Sequence, residues 1–274
     1  MPFYPDKLKF LQQDINNICK KVGRGAAEIT ILAATKSANV EAANQAITAG
    51  IGLIGENKIQ DAEKKFPSLL PVKRHFIGHL QANKVKNAVR LFDCIESVDS
   101  LKLAEKINLE CQKLNKKMPI LVEVNIASDP NKHGIAEGEI SALMDEVQKL
   151  PFILCKGFMA IVPFFDDPEN ARIYFKKMSS VFKLYSEKFA EIDTLSMGMS
   201  HDYRVALEEG ATEIRIGSYL FKNEIGDFGI FSVGFGGFFP SYCETFSLPF
   251  RFLFTFNVDG CASLCAIHAF AEYE

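Results

Sequence analysis

The stretch Ile31-Leu32-Ala33-Ala34-Thr35-Lys36-Ser37 is an apolar run that ends on a single amine. A lysine at the end of a buried strand has an apolar stem to hide and an ammonium to present. Desolvation there disfavours the charged form and releases the neutral amine, which attacks a carbonyl carbon to form a Schiff base. The plain alternative is a lysine that reaches out to solvent from a strand end. Far along the chain, Ser196-Met197-Gly198-Met199-Ser200-His201-Asp202 joins a short apolar segment to a helix. Gly198 permits an unusual turn, and Ser200 suits the N-cap, ahead of free backbone N–H groups that bind phosphate. Ile214-Arg215-Ile216-Gly217-Ser218 adds a glycine for close backbone approach and, at Ser218, a hydroxyl. Ordinary cap and turn chemistry accounts for each piece singly. The two together make a phosphate cradle.

Arg215 stands in a segment otherwise filled by isoleucine. Pointing inward, it is a permanent cation that needs an acceptor; pointing outward, it is a surface arginine. A pyridine nitrogen is such an acceptor. A guanidinium beside it keeps the ring unprotonated, because two adjacent positive charges are disfavoured. An amine, a phosphate cradle and a ring-nitrogen partner together describe pyridoxal 5′-phosphate. His75 and His79 lie four apart, but Phe76-Ile77-Gly78 between them sits on a strand and turn rather than on a helix. They are expected to line the pocket near the cofactor, not to hold a metal.

Residues 36 and 200–218 are far apart in sequence, so the fold must bring them together. Leu8, Leu11, Ile15, Ile18 and Val22 fall on one face of a helix over residues 4–22, stopped by Gly23 and Gly25. Strands are then expected at 28–35, 51–55, 74–78, 93–98, 119–126, 152–161, 194–197 and 213–217. Helices are expected at 40–49, 57–66, 82–89, 100–114, 136–150, 168–189 and 201–209. Apolar strands alternating with amphipathic helices imply a parallel sheet covered on its outer face. Eight such units close a (β/α)8 TIM barrel, whose working surface lies at the C-terminal ends of the strands. An open doubly wound sheet is the competing architecture. In the barrel, Lys36 ends the first strand, and the cradle follows the seventh and eighth, a frequent phosphate site.

The net charge of −3 and the absence of a basic block exclude a nucleic-acid surface. No run of about 18 apolar residues marks a membrane span, and the amino terminus lacks a secretory pattern. Cys19, Cys94, Cys111 and Cys155 show no paired spacing and are expected as reduced, buried thiols of a cytoplasmic protein. Composition changes after residue 222. Residues 223–274 hold eleven of the 24 phenylalanines and only Arg251 as a basic Lys or Arg. Phe250, Phe252, Phe254 and Phe256 alternate as in a short strand. The segment is either an atypical tail without an evolved fold, such as a read-through or frameshift product, or an appended hairpin or interaction patch. The expected division is therefore a barrel over 1–222 and a tail over 223–274.

Six stretches resemble the YggS/PROSC family of pyridoxal phosphate homeostasis proteins, in that family's order. They are Leu32-Ala33-Ala34-Thr35-Lys36, Ile54-Gly55-Glu56-Asn57, the run from His75 to Lys84, Asn131-Lys132-His133-Gly134, the run from Leu195 to Ser200, and Arg215-Ile216-Gly217. The resemblance covers residues 4–221. It implies a barrel of the alanine-racemase N-terminal, fold-type III kind, in which Lys36 holds the cofactor as an internal aldimine. It also implies that Ser200, Gly217 and Ser218 bind the phosphate, that Arg215 faces the ring nitrogen, that Asn57 lines the pocket, and that Lys132 is a second lysine handling the cofactor. The chain departs from the pattern at Ala38, where some members carry a lysine. It departs again at Phe221-Lys222-Asn223-Glu224, which replaces a Phe-Gly-x-Arg ending and predicts an altered closing edge.

Three functional classes follow. The resemblance implies a carrier that holds pyridoxal phosphate for intracellular vitamin B6 homeostasis and supplies it to apo-enzymes without turnover of its own; a monomer is the expected state. An amino-acid racemase would use the same lysine but needs acid or base groups on both faces of the α-carbon. A Schiff-base aldolase would attack a sugar phosphate directly with Lys36.

Overall fold

The computed structural model describes residues 1–223, so the expected tail lies, beyond Asn223, outside the described residues. The alternation in the sequence becomes β1 (Thr30–Ala34), β2 (Leu53–Glu56), β3 (Lys73–Phe76), β4 (Cys94–Val98), β5 (Met118–Glu123), β6 (Ile153–Met159), β7 (Thr194–Met199) and β8 (Glu213–Ile216). These strands hydrogen-bond in sequence order into a closed parallel barrel. The chain therefore folds as the (β/α)8 barrel and not as the open sheet. The closing edge is regular rather than altered: β1 meets β8 in the register Thr30↔Glu213, Ile31↔Ile214, Leu32↔Arg215 and Ala33↔Ile216.

The helices cover the outside: α1 (Pro5–Lys21), α2 (Val40–Thr48), α3 (Ile59–Lys65), α4 (Val85–Leu91), α5 (Leu101–Lys113), α6 (Ile140–Val147), α7 (Arg172–Lys188), α8 (Tyr203–Glu208) and the short α9 (Ser218–Phe221). The apolar stripe of α1 buries Leu8, Leu11, Ile15 and Ile18. Tyr203 Oη and Arg204 Nε of α8 donate to Asp14 of α1 at 2.6 and 2.7 Å. Phe3 and Phe221 then close the edge where β8 ends, with ring centroids 6.0 Å apart. Among the described residues, no helix is long and apolar enough to cross a membrane. The four described cysteines are free and buried, as expected.

Because side chains alternate along a strand, one set faces the helices and the other the barrel axis. Ile54, Ile95, Ile120, Val122, Phe158, Ile214 and Ile216 belong to the outer core shared with the helices. Leu32, Ala34 and Leu53 form a separate inner cluster, and Cys94, Leu121 and Met159 another. The remaining inward positions carry His75, Glu96, Glu123, Ser196, Glu213 and Arg215. All of these but the half-buried His75 are buried. The barrel is thus filled with apolar side chains in part and with ionisable ones in the rest, an arrangement that has to be hydrogen-bonded to be tolerated.

The loop after β1 is held at its far end by Asn39, whose Oδ1 accepts from the Ala42 N–H at 2.9 Å and caps α2. Asn39→Ala removes that bond. It is expected to cost about 1 kcal/mol in urea unfolding, the usual effect of losing an N-cap.

Candidate cofactor site

β1 ends at Ala34, and its inward alternation through Leu32 and Ala34 continues to residue 36. Lys36 itself is exposed. The expected burial is not met: β1 stops at Ala34, and Lys36 and Ser37 lie past it in a turn. What the structure supplies instead is a rigid mount. Thr35 is fully buried, and its hydroxyl donates to Glu56 Oε1 at 2.7 Å. Lys65 Nζ, from α3, donates to the Thr35 carbonyl at 2.7 Å and pairs with the same Glu56 oxygen. The peptide that joins Thr35 to Lys36 is therefore pinned through its carbonyl.

The cradle lies against this mount. A Cβ on Gly217 would sit 3.3 Å from the Ala34 carbonyl oxygen, so the backbones after β1 and β8 come together there. The N–H groups of Gly217 and Tyr219 both donate to Ser200 Oγ at 3.2 Å. Ser218, half-buried, opens α9 between them. Ser200 does not cap α8 as expected. That helix starts at Tyr203, and Asp202 Oδ1 accepts from the Met199 N–H at 2.6 Å to make the turn. Gly198 is required by this turn: its φ is +90°, and a Cβ would lie 2.5 Å from Ala206 Cβ. Backbone donors that converge on one hydroxyl oxygen, where the chain ends of β7 and β8 meet, fit the oxygens of a phosphate.

Arg215 points inward and is buried, which removes the surface alternative. Its Nη1 donates to Ser196 O and Oγ, and its Nη2 to Ala160 O, each at 2.8 Å. Below it lies a network that the sequence reading missed. Ser196 Oγ is 2.8 Å from both Glu96 Oε2 and Glu213 Oε1, and His75 Nδ1 is 2.7 Å from Glu96 Oε1. Burial opposes ionisation of Glu96. The His75 hydrogen bond and charge, the Arg215 charge and the Ser196 bond outweigh it and hold the carboxyl below its ordinary value. Burial pushes Glu213 well above its ordinary value, and the neighbouring Glu96 adds to this. Within this pair a proton therefore favours Glu213 over Glu96, beside the Arg215 guanidinium. The signal was present in the sequence as lone acidic residues inside apolar strands, Cys94-Ile95-Glu96-Ser97-Val98 and Ile120-Leu121-Val122-Glu123.

The other expected residues fall around the mouth. Asn57, after β2, is half-buried, and its backbone lies so close to Gly78 that a Cβ there would be 2.3 Å from the Asn57 carbonyl oxygen. His75 sits inside the barrel on Glu96. His79 parts from it: its ring stacks on His133, from the loop after β5, at 3.7 Å. Lys132 is no free loop lysine. It is half-buried, and its Nζ donates to the Val162 carbonyl at 2.7 Å. Burial lowers its pKa, against the opposing charges of Asp129 and Asp202.

The family described as alanine racemase, N-terminal domain, matches residues 8–224. A pyridoxal phosphate homeostasis protein of Aquifex aeolicus is 36% identical over 219 residues, 79% of this chain and 96% of that protein. The chain belongs to the pyridoxal phosphate homeostasis protein family. Among solved structures, PipY of Synechococcus elongatus with PLP bound superposes with a TM-score of 0.66 at 28% identity, covering 76% of this chain and 99% of that one. An alanine racemase of Clostridium difficile shares the fold at 18% identity and a TM-score of 0.61, over 81% of this chain and 58% of the racemase. Family membership agrees with the barrel.

Proposed function

We propose that the barrel binds pyridoxal 5′-phosphate on Lys36 and serves as a cytoplasmic, monomeric carrier that supplies the cofactor to apo-enzymes. The observation that carries this reading is the meeting of β1 and β8, which sets the pinned Lys36 peptide beside the Ser200–Gly217 cradle with the Arg215 guanidinium inside the barrel below. When bound, the cofactor supplies an electrophilic carbonyl and an electron-accepting ring. The chain supplies the amine through Lys36, the phosphate donors through Gly217, Ser218 and Ser200, and a fixed cation through Arg215. Three of the five N–H donors of Arg215 are engaged by protein oxygens, which fixes the plane of the guanidinium. Asn57, His75 and Lys132 line or flank the same opening. The barrel over residues 1–222 carries all of these groups.

The carrier reading is supported over a racemase by the relatives that the chain matches along nearly their whole length, which are named for homeostasis. Tyr219, next to the cradle in sequence, meets Tyr203 edge-on, and the Lys7 ammonium lies over its ring. These contacts pack its ring. The test is direct. Adding pyridoxal phosphate to the protein is expected to raise an absorbance band near the visible edge, and borohydride followed by peptide mapping is expected to fix the mass on Lys36. L-alanine and other amino acids are expected to show no sustained loss of optical rotation. A mass fixed elsewhere overturns the site, and turnover overturns the carrier.

A further inference from the structure

Glu123 is the ionisable group inside the barrel that nothing above employs. It ends β5, two residues after Leu121, which belongs to the inner cluster with Cys94 and Met159, so its side chain lies on the axial face above that cluster. It is 5% exposed. Glu96 and Glu213 are hydrogen-bonded to Ser196, and Glu96 also to His75, whereas no hydrogen bond reaches the Glu123 carboxyl among the described residues. The charged groups it faces are Asp99, just past the end of β4, and Arg215 of β8. Burial, and then Asp99, push its carboxyl up to about 7, against the pull of Arg215. Both carboxyl oxygens keep some contact with solvent, so the group is crowded by burial but not sealed in. Such a group, on the axial face at the C-terminal end of β5, is complementary to a hydrogen-bonding group that arrives with a ligand.

Pyridoxal phosphate carries four polar groups. The proposed function gives its carbonyl to Lys36, its phosphate to the Ser200–Gly217 cradle and its ring nitrogen to Arg215. Its ring hydroxyl alone is left without a partner. We propose that Glu123 is a cofactor-contacting residue, and that its carboxyl and the ring hydroxyl share one proton. The proton rests on the hydroxyl when the carboxyl is ionised. It rests on the carboxyl when the ring oxygen carries the charge. This inference stands on the cofactor reading and extends it to a residue on the side of the mouth opposite β1.

Glu123→Gln and Glu123→Leu are the variants, with the wild type alongside. Pyridoxal phosphate affinity is followed by absorbance titration, and the apo-proteins are melted at pH 8. Glu123→Leu is expected to weaken binding at least tenfold and to move the pH midpoint of the absorbance band. Glu123→Gln, which keeps one acceptor and gains a fixed donor, is expected to fall between. Both apo-variants are expected to melt no lower than the wild type, because each removes a carboxyl whose ionised form burial disfavours and no hydrogen bond among the described residues supports. Binding within twofold of wild type in both variants, with an unmoved band, overturns the inference. So does a lowered melting temperature in both, which marks Glu123 as a structural residue. A wild type with no Lys36-linked band defeats the cofactor reading and this inference with it. A normal band that ignores Glu123 defeats the inference alone.

Discussion

Lys36→Ala is expected to abolish the visible-edge band completely and to leave the fold unchanged. The two halves of that outcome have separate causes. The band requires a primary amine, and alanine has none. The fold does not require this side chain: Lys36 is exposed, and its amine makes no hydrogen bond or ion pair among the described residues. Substitutions of that kind stay within about 0.5 kcal/mol. The urea midpoint is therefore expected to match the wild type, so that loss of the band reads as loss of chemistry. Lys36→Arg separates the nucleophile from the charge. It keeps a cation at the mouth but has no amine of use, and it is expected to be as colourless as the alanine variant. Lys132 will not take over, since its Nζ is engaged by the Val162 carbonyl on the far side of the mouth. A borohydride-stable cofactor mass on Lys36→Ala overturns the assignment.

That exposure also marks where reading the sequence stops. The periodicities of two and of three to four residues are local, and they carried the eight strands, their order and the covering helices. Helix starts are set by backbone outside the repeat and moved accordingly. Lys58 is extended, at φ −135° and ψ 126°, so α3 begins at Ile59 rather than at residue 57. Arg215 could be read as inward because a permanent charge in an isoleucine strand has few other places to go. The hydrogen-bond partners of Ser200 could not, because they follow the next strand, β8, and depend on the β7–β8 closure. The interior carboxylates were visible only as single acidic residues in apolar strands. Which face they occupy follows from register, and register is fixed by the closed barrel. The apolar approach to Lys36 suggested a dry amine, but the strand stops at Ala34, two residues before it.

The mount behind Lys36 was the least legible part, because its members are 21 and 30 residues from Thr35, and it gives the largest expected effect on stability. Lys65→Met leaves the fully buried Glu56 carboxylate without its cation. Removing one member of a buried pair costs about 3–5 kcal/mol. Glu56 Oε2 is already buried without a partner among the described residues, and the Thr35 hydroxyl that donates to Oε1 carries no charge, so no second cation takes over. The loss should appear as a fall in the urea midpoint with an unchanged slope. Adding Glu56→Leu to Lys65→Met removes the stranded charge, and replacing a whole buried pair with apolar groups is often neutral or stabilising. Most of the lost stability should therefore return in the double variant. The rate at which the cofactor band forms should not return with it. Both variants lack the Lys65 ammonium that holds the Thr35 carbonyl, and hence the peptide on which Lys36 is carried. Loosening a reacting group by a fraction of an ångström costs rate without costing fold, here about tenfold. If the double variant recovers both stability and rate, the pair acts only as packing. If the single variant loses neither, Lys65 is not the cation that Glu56 depends on.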